Sequence, residues 1–215
     1  MVASPRSLLE AQFRSIAGIR GSGVTGALSL PLRLLEQSRI IPAVRKPELL
    51  TLAISAPSKI VFFLCGTPDN IEGMVQQVIT STKVPIVNLD LVGGLSRNGD
   101  AIKYLARRQV YGIISTHSEA LRAARSAGLL AIQRTFLLDS AALDSTLRSL
   151  SQFLPDALEI LPAMAGPRIV EKLHGGYPEL PVLAGGLVRT LREIEDLIAQ
   201  GIGAISVSDP RLWVA

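Results

Sequence analysis

Two short motifs near the C-terminal end of the sequence have the composition of a phosphate-binding site. Gly185 and Gly186 follow one apolar run, and Ser206 and Ser208 lie at the end of the next. Glycines let a phosphate oxygen approach backbone N–H groups, and serine hydroxyls add further hydrogen-bond donors. The two motifs together favour phosphate binding, with an ordinary glycine turn beside a serine-rich loop as the alternative.

Two arginines follow other apolar runs and fit the same chemistry. Arg45 and Arg134 can each bind an anion through two parallel hydrogen bonds, because the guanidinium presents its donors as a planar fork. The alternative is a structural salt bridge from Arg134 to Glu159 or Asp139. We therefore predict that both arginines bind the phosphate, and we leave the salt bridge open.

Carboxylates and an amide accompany these cations. Asp90 and Glu159 can accept hydrogen bonds from the hydroxyl groups of a small polyol, and we assign Asn88 to the same part of the site. Two carboxylates in one site can equally serve as the general acid and base of an enzyme. The residue types alone do not decide between binding and catalysis.

The apolar pattern predicts elements that would position these residues. From residue 40 onward, eight apolar runs alternate with segments of helical period, and continuous apolar runs are typical of strands buried on both faces. The predicted strands are Ile40–Val44, Ile60–Cys65, Val84–Leu91, Gly112–Ser115, Leu129–Leu138, Ala157–Leu161, Pro181–Leu183 and Ala204–Val207. Helix start signals lie at Ser96, Ser118, Ser140 and Thr190.

Eight strand–helix units predict an α/β fold, a compact (β/α)8 TIM-type barrel that occupies residues 40–215. These 176 residues give 22 per unit, which leaves no room for a second domain. Only six residues follow Asp209, so we expect the eighth outer helix to be absent. In such a barrel the functional residues lie at the C-terminal ends of the strands, and the loops after strands seven and eight usually bind phosphate.

Residues 1–39 are predicted to be a basic, partly helical N-terminal extension. The first 47 residues carry a net charge of +5, whereas the remainder carries −1. Basic arms often bind nucleic acid or other polyanions, and a solvated tail or a mis-assigned start codon is an equal alternative. We expect helices at Arg6–Ile16 and Pro31–Gln37, one of them filling the place of the missing eighth helix, and a linker at Arg20–Ser29.

A second basic feature is predicted on two neighbouring outer helices. Helical spacing puts its members on common faces, where they could contact the phosphates of RNA. The residues are Lys103, Arg107, Arg108, Arg122 and Arg125. A solvated helix face is the alternative, and the aromatic content of 4% disfavours recognition of single-stranded bases by stacking.

Neither a dinucleotide site nor a metal site is predicted. Gly21–Gly26 matches the pattern GxGxxG, but Pro31 interrupts the following helix and Lys46 occupies the position of the expected acidic residue. His117 and His174 have no Cys or second His at ligand spacing, so we expect no metal and no cofactor.

The composition favours a cytoplasmic protein. Cys65 is the only cysteine, which excludes an internal disulfide, and no secretory signal opens the chain. The longest uninterrupted apolar run, Ile60–Cys65, is far too short to cross a membrane. With 48% apolar and 19% charged residues, general disorder is also excluded.

Seven runs of the sequence match the pattern of one family in order and at compatible spacing. They are Ile40–Arg45, Asn88–Ser96, Gly112–Thr116, Gln133–Ser140, Pro155–Pro162, Ala184–Leu187 and Ala204–Ser208, the last followed by Leu212 and Trp213. Over these 174 residues the chain resembles the glycerol-3-phosphate-responsive antiterminators.

The resemblance implies a bacterial cytoplasmic regulator rather than an enzyme. Such proteins sense glycerol 3-phosphate, bind the leader mRNA of glycerol-utilisation genes and let polymerase pass a terminator. Carried over position by position, the effector site would consist of Arg45, Asp90, Arg134, Glu159, Gly185, Gly186, Ser206 and Ser208. The chain has Asn88 and Gly93 where the family pattern has His and Glu. No motif places the RNA contacts, and a homo-oligomer is compatible with the sequence.

Two other functions stay open at this point. One is a phosphate-binding barrel enzyme that isomerises or cleaves a small phosphorylated substrate, with Asp90 or Glu159 as the base. The other is a metabolite-binding protein that has lost RNA binding. Glycerol 3-phosphate binding, RNA binding and turnover distinguish the three.

Overall fold

The computed structural model describes residues 38–213, which form a closed barrel of eight parallel strands in the order β1 to β8. The strands are β1 (Ile40–Val44), β2 (Ile60–Phe63), β3 (Val84–Asn88), β4 (Gly112–Ser115), β5 (Leu130–Phe136), β6 (Ala157–Leu161), β7 (Val182–Gly185) and β8 (Ala204–Val207). Each pairs with its neighbours in sequence, and β8 pairs with β1. The predicted (β/α)8 barrel is confirmed.

Seven α-helices pack outside the sheet, one after each of the first seven strands. They are α1 (Leu50–Ser55), α2 (Ile71–Thr80), α3 (Gly99–Arg107), α4 (Ser118–Ser126), α5 (Ser140–Gln152), α6 (Gly166–Leu173) and α7 (Leu191–Ala199). In the described part of the chain, β8 is followed by a 3-10 turn, Pro210–Leu212, and by no α-helix. The Nε1 of buried Trp213 donates a hydrogen bond of 2.7 Å to the carbonyl of Val207, which connects this turn to the end of β8 outside the sheet.

The predicted helices Arg6–Ile16 and Pro31–Gln37 and the linker Arg20–Ser29 lie outside the described residues. The proposed division into an extension of residues 1–39 and a barrel domain therefore stays a prediction.

The strand residues divide into two cores because successive side chains point to opposite faces of the sheet. On β2, Ile60 and Phe62 belong to the cluster inside the barrel, whereas Val61 and Phe63 pack against the outer helices. Both faces are therefore apolar, which explains the continuous apolar runs in the sequence.

The interior becomes polar near the C-terminal ends of four strands. The alternation that places apolar residues inside the lower barrel places these polar side chains inside its mouth: Asn88, Arg134, Glu159 and Ser206. All four are buried. The fold thus brings predicted site residues from β3, β5, β6 and β8 together inside the mouth of the barrel.

Several predicted strand boundaries are wrong by one to three residues. The observed strands end at Phe63, Asn88 and Phe136 instead of Cys65, Leu91 and Leu138, while β5 begins at Leu130 and β7 runs over Val182–Gly185. At β3 the cause is local, since the Asn88 side chain accepts a hydrogen bond from the N–H of Asp90 and starts a 3-10 turn, Leu89–Leu91. Apolarity continues past the strand because Leu89 is buried in the outer core.

The observed helix N-caps agree only partly with the predicted start signals. Thr190 caps α7 as predicted, in a reciprocal pair with Glu193. Asn98 rather than Ser96 caps α3, and Asp139 rather than Ser140 caps α5, because an Asn or Asp side chain at these positions accepts the free N–H groups of the first turn.

Candidate functional site

Three predicted site residues form one buried hydrogen-bonded network. Arg134 on β5 donates from Nε to Oε2 of Glu159 on the adjacent strand β6, at 2.7 Å. Ser206 on β8 donates from Oγ to the other carboxylate oxygen, also at 2.7 Å. Glu159 has no exposed surface. Both of its oxygens are engaged, and the salt bridge that the sequence left as an alternative for Arg134 is present.

This network leaves part of Arg134 available at the mouth. Nε is held by Glu159, and neither terminal amino group of Arg134 makes a hydrogen bond within residues 38–213. The side chain is 8% exposed. A guanidinium fixed at Nε presents its two terminal nitrogens as a fork, which is the geometry that binds two oxygens of a phosphate or carboxylate.

Gly185 gives the network the space that it needs. A Cβ at this position would lie 2.2 Å from Oγ of Ser206 and 3.4 Å from Oε1 of Glu159. Only a residue without a Cβ leaves Ser206 in hydrogen-bonding position. The sequence assigned Gly185 to backbone contact with phosphate, and the structure gives it this second, steric role.

The adjoining Gly186 is exposed and has the geometry of a turn. Its φ is +78°, a backbone conformation that costs little only for glycine. Its carbonyl accepts a hydrogen bond of 3.3 Å from the N–H of Ala163, which ties the loop after β7 to the loop after β6.

Ser208 and Arg45 lie at the same end of the barrel. Both are exposed, just past the ends of the paired strands β8 and β1. Neither side chain makes a hydrogen bond or an ion pair within the described residues. Together with Arg134 and Gly186, they supply uncommitted donors at the mouth.

Asp90 is committed to protein donors. Its carboxylate accepts hydrogen bonds from Oγ of Ser115 at 2.7 Å, and from the N–H and Oγ1 of Thr116 at 2.7 and 2.9 Å. Nε of Arg97 lies 3.7 Å from the same carboxylate. These hydrogen bonds connect the turn after β3 to the end of β4. Asp90 is not part of the Glu159 network.

Asn88 carries an unpaired donor in the interior. The residue has no exposed surface, and Oδ1 accepts the N–H of Asp90 at 3.0 Å. Nδ2 has no hydrogen-bond partner. Because a buried unpaired N–H group costs about 1–3 kcal/mol, this amide favours an oxygen atom of a ligand or of water beside it.

Two of the three basic residues predicted to bind RNA on α3 and at its C-terminal cap make contacts within the protein. Lys103 pairs with Asp100 at 3.3 Å. Arg108 lies 3.1 Å from Glu72, and its guanidinium stacks 3.5 Å from the ring centroid of Tyr104. Within the described chain, Arg107 alone of the predicted five makes no such contact.

The two arginines on α4 contact one aromatic ring. Arg122 and Arg125 lie 5.1 and 4.9 Å from the ring centroid of Phe153. Arg125 also pairs with Asp156 at 3.2 Å, and Arg122 donates to the carbonyl of Gln152. These cations stabilise the junction between α4 and the end of α5, which reduces the charge available to RNA.

Sequence reasoning assigned no role to an apolar rim around the mouth. Its side chains lie at the end of β5 or in the segments after β5, β6 and β7, and they are 52 to 78% exposed: Phe136, Leu138, Met164 and Leu187. Arg97, Ser115 and Thr116 were also missed as partners of Asp90. The alternating pattern of apolar runs predicts that such residues lie near strand ends, but it does not predict which side chains contact each other.

Other reactive groups are few in the part of the chain that the structure describes. Residues 38–213 contain no group of three or more His, Cys, Asp or Glu that could hold a metal ion. Burial raises the pKa of the Cys65 thiol, and the charge of Glu48 raises it further, so the thiol is a poor nucleophile. Between residues 38 and 213, no helix combines the length and apolarity needed to cross a membrane.

A comparison of the sequence with known families decides the assignment. The model of the family "Glycerol-3-phosphate responsive antiterminator" matches residues 40–213, which is the whole barrel. The chain belongs to this family. The resemblance noted in the sequence is thereby confirmed.

Three individual proteins are similar to this chain over nearly their full length. The glycerol uptake operon antiterminator regulatory protein of Listeria monocytogenes is 30% identical, with a TM-score of 0.74, over 82% of this chain and 95% of that one. An antiterminator-related protein of Thermotoga maritima is 27% identical, with a TM-score of 0.75, over 82% and 98%. YgcP of Escherichia coli K12, an uncharacterized protein, is 31% identical over 85% of this chain and 95% of its own.

Proposed function

We propose that the protein is a cytoplasmic, glycerol-3-phosphate-responsive RNA-binding antiterminator of glycerol-utilisation genes. The observation that carries the proposal is Arg134, which Glu159 holds at the barrel mouth with two uncommitted terminal nitrogens. Membership of the antiterminator family supports the same effector and target.

In this proposal the phosphate binds among the uncommitted donors of the mouth. Arg134 donates hydrogen bonds to two phosphate oxygens. The phosphate also accepts hydrogen bonds from the N–H of Gly186, the hydroxyl of Ser208 and the Arg45 side chain. The loops after β7 and β8 are the usual phosphate site of such barrels. The glycerol hydroxyls reach the interior, where Nδ2 of Asn88 gains the acceptor that it lacks.

The state of the carboxylates supports a regulator over an enzyme. Glu159 accepts hydrogen bonds at both oxygens, and Asp90 holds three donors from the end of β4. A general base must reach the proton that it removes, and in each of these groups both carboxylate oxygens already accept hydrogen bonds from protein donors. The uncommitted groups are donors, which suit binding of an anion.

Regulation then follows from linkage between two ligands. Glycerol 3-phosphate joins the separate loops after β1, β7 and β8, and it favours the arrangement in which they converge on one phosphate. RNA affinity rises by at most the ratio of effector affinities in the two arrangements, and RNA raises effector affinity by the same factor as the effector raises RNA affinity.

Calorimetric titration with glycerol 3-phosphate, followed by RNA binding at several salt concentrations, tests the proposal. We expect Arg134→Gln to lower effector affinity at least tenfold, because each charge-assisted hydrogen bond contributes about 1.5–3 kcal/mol. Arg148→Gln, which removes an exposed arginine of α5, controls for the loss of one positive charge. Because Arg134→Gln also leaves Glu159 without its ion pair, circular dichroism at the titration temperature must show that this variant is folded.

The outcomes separate three functions. Effector-enhanced, salt-sensitive binding of leader RNA supports the antiterminator. Effector binding with no effect on RNA indicates a metabolite-binding protein, and consumption of the compound indicates an enzyme. Wild-type effector affinity in Arg134→Gln would overturn the assigned phosphate site.

A further inference from the structure

A groove of about 450 Å³ lies outside the sheet, between the first strand and the last helix. Its apolar wall includes Ile40, Leu191, Ile194 and Ile198. Since no α-helix follows β8 in the described chain, this groove lies where a complete barrel has its eighth outer helix. An apolar wall at this position requires a cover.

The chain enters the barrel next to this groove. Ser38, the first described residue, is buried, and its Oγ accepts a hydrogen bond of 2.9 Å from the N–H of Lys59. Each outer helix of such a barrel runs antiparallel to the strand that follows it. A helix directly ahead of β1 would therefore occupy the same place as a helix after β8.

Five of the seven helices share one register with the strand that follows them. The residues ten and six positions before the strand are apolar and packed in the core: Leu50 and Ile54, Met74 and Val78, Ile102 and Ala106, Ala120 and Ala124, Ile194 and Ile198. Counted back from Ile40, the same positions are Leu30 and Leu34. The sequence before β1 thus continues the pattern of the outer helices.

We propose that residues 29–37 dock in this groove as a helix that replaces the eighth outer helix, with Leu30 and Leu34 against Ile194 and Ile198. Ser29 is a favourable N-cap, and Pro31 is tolerated in a first helical turn.

The docked helix begins at the mouth of the barrel, because it runs antiparallel to β1. The preceding residues, which include Arg6, Arg14 and Arg20, then emerge beside the effector site. Their use in binding RNA rests on the proposed function, whereas the docking does not.

Thermal unfolding of three leucine variants of the full chain tests the docking. We expect Leu30→Asp and Leu34→Asp each to lower Tm by about 5 °C, because each places a charge against an apolar wall. Leu32→Asp is the matched control, since the residue eight positions before the strand is exposed in four of these five helices, as at Gln76 and Asp196. Equal shifts in all three variants would overturn the proposal.

An engineered disulfide identifies the occupant without any ligand or RNA. In a Cys65→Ser background, Leu34→Cys with Ile198→Cys should oxidise to a disulfide within one chain, whereas Leu34→Cys with Ser126→Cys, on the opposite side of the barrel, should stay reduced. A disulfide that links two chains would show that a second copy fills the groove, and absence of any disulfide would show that the segment lies elsewhere. Either result overturns the proposal.

Discussion

The Nε of Arg134 lies 2.7 Å from Oε2 of Glu159, and this carboxylate has no exposed surface. Removing one partner of a buried ion pair is far more destabilising than the net contribution of the pair, because the other charge is left without compensation. The ion pair therefore fixes the position of the Arg134 guanidinium. Removing either partner should cause a large loss in the free energy of unfolding.

We expect Glu159→Gln to lower the free energy of unfolding by about 3–5 kcal/mol, because Arg134 then remains buried without a counterion. Urea unfolding measures this loss. Glu72→Gln is the control, since Glu72 pairs with Arg108 at 3.1 Å but is 60% exposed, and exposed pairs contribute at most about 1 kcal/mol. Equal losses in the two variants would contradict the assigned importance of the buried pair.

Gly185→Ala should destabilise the protein by about 1–3 kcal/mol, the usual cost of overpacking. The added Cβ would lie 2.2 Å from Oγ of Ser206, so the hydroxyl must leave Glu159. The control is Gly73→Ala on α2, where the Cβ meets nothing within 4 Å and should stabilise the helix by about 0.5–1 kcal/mol. A change of the same sign in the free energy of unfolding of both variants would contradict the steric role of Gly185.

The barrel could be predicted from the sequence because its signal repeats. Eight apolar runs at regular spacing require eight buried strands, and alternation then determines which residues face the interior. Boundaries were less certain where a side chain redirects the backbone, as Asn88 does by accepting the N–H of Asp90. This change in backbone direction depends on one hydrogen bond, so the periodic pattern of apolar residues does not reveal it.

The candidate site was predictable in position but not in pairing. Strand ends placed Arg134, Glu159 and Ser206 at one face, and strand register made Arg134 and Glu159 neighbours. The partners of Asp90 come from β4, and no sequence spacing distinguishes a carboxylate held by Ser115 and Thr116 from one that awaits a ligand. Side-chain partners depend on three-dimensional packing.

The outer arginines separate into structural and uncommitted groups. We expect Arg125→Gln to lower the free energy of unfolding by about 1 kcal/mol, because it loses the contact with Phe153 and the ion pair with Asp156. Arg107→Gln should leave stability unchanged and weaken RNA binding, with a shallower salt dependence. Urea unfolding and RNA titration of both variants check this, and weaker RNA binding in Arg125→Gln alone would reverse the assignment.

Lys83 gives the barrel a pH-dependent stability at its N-terminal end. Its buried ammonium donates hydrogen bonds to the carbonyls of Ala56 and Ser58. Burial lowers the pKa of Lys83, and the nearby charge of Lys59 lowers it further. Between that lowered value and the ordinary lysine pKa of about 10.4, the unfolded chain binds more protons, so the free energy of unfolding from this group rises with pH.

Urea unfolding from pH 8 to 11 should therefore show a component of rising stability that Lys83→Met removes, although the variant is less stable overall because it loses two hydrogen bonds. Lys103→Met removes an exposed lysine on α3 and should leave the profile unchanged. The same profile in wild type and Lys83→Met would show that the Lys83 ammonium titrates alike in the folded and unfolded protein.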